Sequence, residues 1–208
     1  MRGFSIARWP QNLLGRLINA AAFVRRPFKK VIPAMTHGKV ESFAILDFEA
    51  SSLSLKSWPI EIGLSWIERG IVQTWSSLIR PAATWDLDDW SSQSAAVHKI
   101  AFSNLAAAAS VQDLAQVFLK TLAGRQLVSD APEFETRWLT RLLQAAGYDE
   151  TPSIENFDRV SFALYSGYAL DMLYETLERR SAPHRAGPDS ARLANSWLRA
   201  ARYQNPMA

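Results

Sequence analysis

The sequence predicts an α/β fold in which a mixed five-stranded sheet is flanked by helices. The chain first shows three consecutive strand patterns, and it then alternates between helical and strand patterns. The first three strands are expected to be antiparallel, and the alternating part adds strands separated by helices, which gives a mixed sheet. With 48% apolar residues among 208, the chain has enough material for a sizeable core.

The composition excludes several classes of protein. Cysteine is absent, which excludes disulfide scaffolds, thiolate zinc sites and cysteine nucleophiles. Three histidines are too few for a multi-histidine metal site, and no apolar run approaches the roughly 20 residues that span a bilayer. The sequence therefore predicts a soluble protein without a transmembrane segment, located in the cytoplasm unless its N-terminal part is a targeting signal.

The first 40 residues differ from the rest in charge. They contain eight Lys/Arg and no acidic residue, which leaves 15 basic and 20 acidic residues in positions 41–208. We interpret residues 1–40 as a basic leader and residues 41–208 as the folded domain. Three interpretations of the leader stay open: a mitochondrial transit peptide, an arm that binds phosphates or anionic lipid, and a poorly ordered extension with the true start at Met35.

The domain is predicted to begin with three strands. Residues 43–49 are apolar on both faces and precede a Ser-rich loop, which indicates a buried strand. Strands over 60–67 and 71–79 flank Glu68-Arg69-Gly70, which predicts a hairpin. A connection rich in Trp, Asp and Ser follows over residues 82–110, with short helical pieces expected in it.

The second half of the domain is predicted to alternate helices and strands. The expected elements are a helix over 111–123, a strand over 125–129, a helix over 133–146, a strand near 154–160, and helices over 163–180 and 188–203. These elements bring the number of strands to five.

Two acidic residues lie in the first predicted strand. Asp47 and Glu49 are two residues apart, so their side chains leave the same face, roughly 6.5–7 Å apart along the chain. Carboxylates in a central strand are costly unless they are paired or bind a metal ion, and Mg²⁺ and Mn²⁺ prefer such oxygen ligands. The pair is therefore a candidate metal site; the alternative is that both acids end the strand and face solvent.

A third acid is expected to face the sheet from the helix over 133–146. Glu135 falls in the middle of the apolar stripe of this helix, whereas Glu133 falls on its polar side. An inward carboxylate at a helix start needs a cation. Asp130 fits a helix N-cap, with Glu133 at the third helical position, and a role in the site is the alternative for Asp130.

A histidine and an acid flank the start of the last predicted helix. Pro188 fits the first turn, with Gly187 just before it, so His184 is expected on the preceding loop and Asp189 inside the turn. Taken alone, His184 is an ordinary loop residue and Asp189 complements the helix dipole.

Together these motifs resemble those of the DEDDh-type 3′–5′ exonucleases, the RNase H-like family that includes the proofreading subunit of bacterial DNA polymerase III, RNase T and oligoribonuclease. Asp47-Phe-Glu49 is similar to the first family motif, Phe134-Glu135 to the second, and His184 with Asp189 to the third. Three further segments resemble segments of the same family: Pro59-Ile-Glu-Ile-Gly63, Arg80-Pro81 and Val97-His-Lys-Ile100. The resemblance spans residues 43–201.

The resemblance implies hydrolysis of single-stranded DNA or RNA from the 3′ end by a two-metal mechanism, which releases nucleoside 5′-monophosphates. Asp47, Glu49 and Asp189 would hold two Mg²⁺ or Mn²⁺ ions. Glu135 stands where the family has Asp; it would help the second ion, or Asp130 would take over part of that role.

The resemblance also implies a general base and substrate contacts. His184 would accept a proton, because an imidazole titrates near neutrality. Ser52, Leu53 and His98 would lie near the substrate, with Ser52 at a position where Gly is common. Among the remaining polar residues, Asp86, Asp88 and Asp89 are interpreted as a solvated loop, with a metal site as the alternative.

Several alternatives stay open at this stage. Most tryptophans are expected to pack in the core, whereas Trp58, Trp85 or Trp90 could stack on a base. A second class of function is an exonuclease fold that has lost activity and acts as a nucleic-acid or protein binding module. The preference for DNA or RNA, a homodimer and a polymerase partner are likewise undecided.

Overall fold

A computed structural model describes residues 40–204 and leaves residues 1–39 and 205–208 undescribed. The leader predicted over residues 1–40 therefore lies outside the described residues, apart from Val40. In the described part, five strands form one sheet that is flanked by seven helices. None of these helices has the length and apolar character needed to cross a membrane.

The sheet is mixed, as predicted. Its strands are β1 Phe43–Ala50, β2 Pro59–Glu68, β3 Ile71–Leu78, β4 Gln126–Ser129 and β5 Ile154–Asn156. The spatial order is β3-β2-β1-β4-β5; β1, β2 and β3 pair antiparallel, and β4 pairs in parallel with both β1 and β5. The hairpin between β2 and β3 turns at Arg69 and Gly70, which both have positive φ, as a tight turn of this kind requires.

The helices follow the predicted order with two corrections in the second half. They are α1 Ser92–His98, α2 Phe102–Leu105, α3 Val111–Leu122, α4 Pro132–Ala145, α5 Phe157–Leu164, α6 Gly167–Glu178 and α7 Ala186–Gln204. The strand expected near 154–160 ends at Asn156, because the Asn156 side chain accepts the Arg159 N–H and caps α5. The helix α5 replaces the second half of that expected strand, and the helix expected over 163–180 begins only at Gly167, because Tyr165 and Ser166 are extended.

The last helix begins two residues earlier than predicted. α7 starts at Ala186 rather than Pro188, and Gly187 lies inside its first turn. A Cβ on Gly187 would lie 2.8 Å from the Ser76 side chain of β3, and one on Gly63 of β2 would lie 2.1 Å from the Ala186 carbonyl oxygen. The start of α7 therefore sits directly on the sheet, at a distance that only glycine permits.

The core has two parts, one on each face of the sheet. Along β1, Ala44, Leu46 and Phe48 pack with residues of α3, α4 and the long connection, whereas Ile45 packs on the other face with residues of α5, α6 and α7. Side chains alternate along a strand, so Asp47 and Glu49 share the face of Ile45. The sheet thus presents both acids to the side that α7 covers.

The pairing between β1 and β4 is short. Only residues 43–45 of β1 pair with residues 126–128 of β4. The second half of β1, which carries the acids, therefore has no strand partner on its β4 side, and other groups must satisfy its backbone there.

Candidate active site

Three carboxylates from β1 and α7 converge at one point. Asp47, Glu49 and Asp189 each contribute an oxygen atom, and these three atoms lie within 4.8 Å of one another. The two strand residues are half-buried, and Asp189 is buried in the first turn of α7. The sequence predicted these three residues as ligands, and the fold brings them together.

Asp189 has one oxygen atom held by the backbone and one without a hydrogen-bond partner. Its Oδ2 atom accepts the Arg185 backbone N–H at 2.9 Å. Its Oδ1 atom is buried and accepts no hydrogen bond from the described residues. Since buried carboxylate oxygens normally have partners, this atom beside two further carboxylates fits a divalent cation.

Burial and mutual repulsion make the charged form of this group unfavourable. Burial raises the pKa of Asp47 well above its usual value, and the charges of Glu49 and Asp189 raise it further. Burial likewise raises the pKa of Glu49 to about 7, with additional repulsion from Asp189 and Glu61 and an opposing effect of Arg185. A divalent cation at this point would favour the ionised carboxylates, so the donor set fits Mg²⁺ or Mn²⁺.

The carboxylates face an open cavity of about 240 Å³. Residues from β1, the turn before α4, the loop before α7 and α7 itself form its wall: Asp47, Phe48, Glu49, Asp130, Ala182, His184, Asp189, Arg192 and Leu193. The cavity therefore combines four carboxylates, one imidazole and one guanidinium, which is a donor set suited to a phosphate-bearing ligand with metal ions.

His184 lies on the loop before α7, as predicted, and lines the cavity. Its side chain is exposed, and its backbone has a φ of 55°. Non-glycine residues rarely adopt this left-handed conformation, and surrounding structure has to maintain it. The imidazole is thus accessible to a ligand in the cavity.

Glu135 and Asp130 occupy different surroundings. Glu135 is only 3% exposed and is not part of the cavity wall. Its carboxylate accepts the backbone N–H of Phe48, a group that β4 leaves unpaired. Burial raises the pKa of Glu135 well above its usual value, and the charge of Asp47 raises it further. The predicted inward orientation of Glu135 is confirmed.

The N-cap interpretation of Asp130 is wrong. Ala131 occupies the N-cap position of α4, and the Ser129 hydroxyl oxygen accepts the Ala131 N–H at 3.0 Å. No side chain caps the start of α4 in the described structure, and the exposed side chain of Asp130 lies at the cavity wall instead. The alternative of a role in the site is therefore the one that the structure favours.

Ser52 and Leu53 lie in the loop after β1 and are not part of the cavity wall. The Ser52 hydroxyl donates to Asp89 Oδ1 at 2.9 Å, and the Ser54 hydroxyl donates to Asp89 Oδ2 at 2.5 Å. Leu53 is 71% exposed at the tip of this loop. Asp89, which the sequence placed in a solvated loop, instead holds the β1–β2 loop in position.

His98 and the loop tryptophans form an aromatic cluster rather than an exposed surface. His98 is 2% exposed, its Nδ1 atom accepts the Ile100 N–H at 3.0 Å, and burial lowers its pKa. Trp58 is fully buried and packs against Trp85 and Trp90 with ring centroids 5.9 Å apart in each pair. Base stacking by Trp58 is therefore excluded in this conformation, and His98 is not in the cavity wall.

Sequence reasoning assigned no role to two charged residues near the site. Arg192 lines the cavity, with its Nε atom 3.8 Å from Asp189 Oδ1, and follows Asp189 by one helical turn. Glu61 is 3% exposed in β2 and pairs with Arg185. Two features of the sequence could have indicated them. Arg192 follows Asp189 at the i,i+3 spacing of a helical ion pair, and Glu61 is a charged residue within the apolar run of β2.

Comparison with known proteins supports the fold. No protein-family model matches the sequence, and no curated protein matches it significantly. The nuclease domain of 3′hExo, a DEDDh family member bound to rAMP, superimposes with a TM-score of 0.57 at 19% identity, covering 77% of this chain and 92% of that chain. Exonuclease X in complex with 5′ overhanging duplex DNA gives a TM-score of 0.52 at 20% identity, covering 78% and 93%.

A third solved structure adds to this group. E. coli Exonuclease I in complex with a dA16 oligonucleotide gives a TM-score of 0.55 at 13% identity, covering 79% of this chain and 41% of that chain. At these identities the likeness concerns the fold. The chain has the fold of these exonuclease structures, which confirms the mixed five-stranded sheet flanked by helices that the sequence predicted.

Proposed function

We propose that the protein is a metal-dependent 3′–5′ exonuclease that hydrolyses single-stranded DNA or RNA and releases nucleoside 5′-monophosphates. The observation that carries the proposal is the convergence of Asp47, Glu49 and Asp189 within 4.8 Å at an open cavity that His184 also lines. These are residues that the sequence motifs singled out, on a fold shared with 3′-exonucleases.

The three converging carboxylates would hold two Mg²⁺ or Mn²⁺ ions. The Asp189 Oδ1 atom, which accepts no hydrogen bond from the described residues, and the raised pKa values of Asp47 and Glu49 support this assignment. When bound, divalent ions supply positive charge that lowers the pKa of a coordinated water and stabilises the leaving 3′-oxygen. The carboxylates themselves fix the place of that charge relative to the cavity.

His184 would act as the general base that takes a proton from the attacking water. Its imidazole is exposed at the cavity, and a histidine accepts protons near neutral pH. Asp130 presents a carboxylate to the same cavity, whereas Glu135 is buried outside the cavity wall, where its Oε2 atom accepts no hydrogen bond from the described residues. Asp130 would thus take over part of the role that the family assigns to the acid of the second motif.

The shape and charge of the site support a single-stranded 3′ end as substrate. The cavity is open, and the described domain belongs to a part of the chain with more acidic than basic residues, so binding depends on metal ions rather than on a broad basic surface. Leu53 at the exposed loop tip and Ser52 beside it remain predicted substrate contacts. The similar structures contain rAMP, dA16 and duplex DNA, so both sugars remain candidates.

The test is a gel assay with 5′-labelled single-stranded DNA and RNA oligomers, in Mg²⁺, in Mn²⁺ or in EDTA. Wild-type protein is expected to produce a metal-dependent ladder that shortens from the 3′ end, and the ladder should be absent for Asp47→Ala. The difference between the DNA and RNA lanes identifies the preferred sugar.

A silent wild-type protein would overturn the proposal in its simple form. The variant Glu135→Asp, which restores the family residue at the second motif, then separates two explanations. Activity in Glu135→Asp would indicate an enzyme weakened by the longer side chain, whereas continued silence together with oligonucleotide binding would favour the binding module.

A further inference from the structure

Glu61 is a buried carboxylate whose hydrogen bonding is complete. It lies in β2 directly across from Glu49 of β1, and it is 3% exposed. Its Oε1 atom accepts from Arg185 Nη2 at 2.6 Å, and its Oε2 atom accepts from Arg185 Nε at 2.9 Å and from the Ala186 N–H at 3.0 Å. With three donors in place, Glu61 has no free oxygen for a metal ion, in contrast to Asp189.

Arg185 connects this carboxylate to the site. Its guanidinium donates two hydrogen bonds to the Glu61 carboxylate in a bidentate pair, and its backbone N–H donates to Asp189 Oδ2 at 2.9 Å. Arg185 also follows His184 directly in the chain. A single residue thus joins β2, the proposed base and one proposed metal ligand.

The position of the His184 imidazole depends on the backbone around it, because its side chain is exposed at the cavity. That backbone has positive φ at His184 and is fixed close by through the Glu61 contacts with Arg185 and Ala186. The close approach of Ala186 to Gly63 fixes the same segment on β2, because no side chain fits at Gly63. The segment therefore has well-defined anchors although His184 itself is exposed.

We propose that Glu61 and Arg185 are positioning residues that hold His184 and Asp189 in register with Asp47 and Glu49. This inference rests on the proposed function, in that it deepens the account of the same site. Neither residue is part of the cavity wall, so their effect acts through His184 and Asp189. Loss of such supporting contacts typically weakens metal affinity or activity by about 10- to 100-fold.

The experiment compares Glu61→Gln and Arg185→Lys with wild type and with the control Glu175→Gln. Glu175 pairs with Arg179 in an exposed ion pair on α6, so its replacement makes the same chemical change outside the site. Three quantities are measured on folded protein: Mn²⁺ affinity by calorimetry without nucleic acid, kcat and KM on a 5′-labelled oligomer, and amide hydrogen exchange over residues 182–190.

For Glu61→Gln we expect Mn²⁺ affinity and kcat to fall by about 10-fold or more, KM to stay within about threefold, and exchange over residues 182–190 to increase. Arg185→Lys keeps the charge but loses the bidentate pair, so it should show a smaller change of the same kind. Because the Arg185 side chain is 44% exposed, this variant should fold even where Glu61→Gln does not.

Three outcomes decide the matter. Mn²⁺ affinity, kcat and exchange that match the control in both variants would overturn the positioning role while leaving an active wild-type enzyme as it is. An inactive wild type whose Mn²⁺ affinity depends on Glu61 would overturn the exonuclease proposal and support the positioning role at the metal site. A wild type that neither binds Mn²⁺ nor cleaves would overturn both.

Discussion

The acids at this site differ in what surrounds each of them, and the surroundings determine what each replacement should do. Asp47 lies where burial and the charges of nearby acids oppose its ionisation, and Asp189 has one oxygen atom without a hydrogen-bond partner. Glu135 is buried and accepts a backbone N–H, whereas Asp130 is exposed at the cavity wall. Neutral replacements should therefore separate stability from function residue by residue.

Replacing Asp47 by Asn should abolish activity and stabilise the metal-free protein. The amide removes a charge that is desolvated and repelled by Glu49 and Asp189, so the folded state loses an unfavourable interaction. We expect the melting temperature in EDTA to rise by a few degrees Celsius, measured by thermal unfolding at about pH 8. A lower melting temperature of Asp47→Asn in EDTA would contradict the assumption that repulsion dominates at this position.

Asp130→Asn and Glu135→Gln form a matched pair with different expected defects. Asp130→Asn removes a charge at the cavity, so Mn²⁺ affinity should fall by severalfold; because burial raises the pKa of Asp130, the stability of the metal-free protein should be retained or slightly increased. In Glu135→Gln the amide oxygen still accepts the Phe48 N–H, so the fold should be retained, whereas Glu135→Ala leaves that N–H unpaired and should cost about 2–4 kcal/mol of unfolding free energy.

Calorimetry with Mn²⁺ and chemical denaturation together test this pair. Equal Mn²⁺ affinity of Asp130→Asn and wild type would show that Asp130 is outside the metal site. A Glu135→Ala protein as stable as wild type would contradict the structural role of Glu135.

Two features of the secondary structure form the site: β1 extends beyond the end of its pairing with β4, and α7 begins directly on the sheet. The end of β1 is free of a strand partner on one side, which opens room for Glu135 from α4. On the face above, the first turn of α7 lies against Gly63 of β2 and Ser76 of β3. The hydroxyl groups of Ser65 and Ser190, 2.9 Å apart, add a buried hydrogen bond between β2 and α7.

Gly63→Ala should damage both stability and the site. The added Cβ would lie 2.1 Å from the Ala186 carbonyl oxygen, so the start of α7 must move. We expect a loss of about 2 kcal/mol or more in unfolding free energy and a clear loss of Mn²⁺ affinity. Gly70→Ala is the control: its positive φ makes alanine costly, but open space surrounds it and the hairpin turn is remote from the acids. Retained Mn²⁺ affinity in Gly63→Ala would show that the site tolerates movement of α7.

Sequence patterns predicted the elements better than their ends. The distribution of apolar residues identified all five strands, because burial on both faces leaves a strong signal in β1 and β2. The ends depended on single contacts that a pattern does not contain, such as the Asn156 cap of α5 or the Glu61 contact with the Ala186 N–H. Spacing also predicted that Asp47 and Glu49 share a face and that Glu135 points inward.

Other parts of the site could not be predicted from one sequence. The distinction between Asp130 and Glu135 depends on where α4 begins, and the N-cap position falls on Ala131 rather than on Asp130. The pairing of Glu61 with Arg185 joins residues 124 positions apart, which no local pattern records. Such long-range contacts follow from the topology of the sheet and from the close packing of the first turn of α7 on β2 and β3.

For the molecule as a whole, the acidic group couples folding to protons and to metal ions. In the metal-free protein the pKa of Glu49 is about 7, whereas an ordinary Glu has a pKa of 4.5. Between these values the folded state binds more protons than the unfolded state, so the free energy of unfolding decreases as the pH rises through this window. The raised pKa of Asp47 acts in the same direction.

Metal-free protein should therefore lose stability as the pH rises from about 4.5 to about 7, and Mg²⁺ or Mn²⁺ should restore it near the upper limit, where the carboxylates ionise and bind cations best. The measurement is the melting temperature across this range in EDTA and in each metal at constant ionic strength. Asp47→Asn is the control, because with one acid fewer its melting temperature should depend less on pH and on metal. If the melting temperatures of wild type and Asp47→Asn changed with pH in parallel, the pH dependence would have to arise outside the site. If the difference between the two melting temperatures increases with pH in EDTA and disappears when metal is added, the pH dependence arises from these carboxylates.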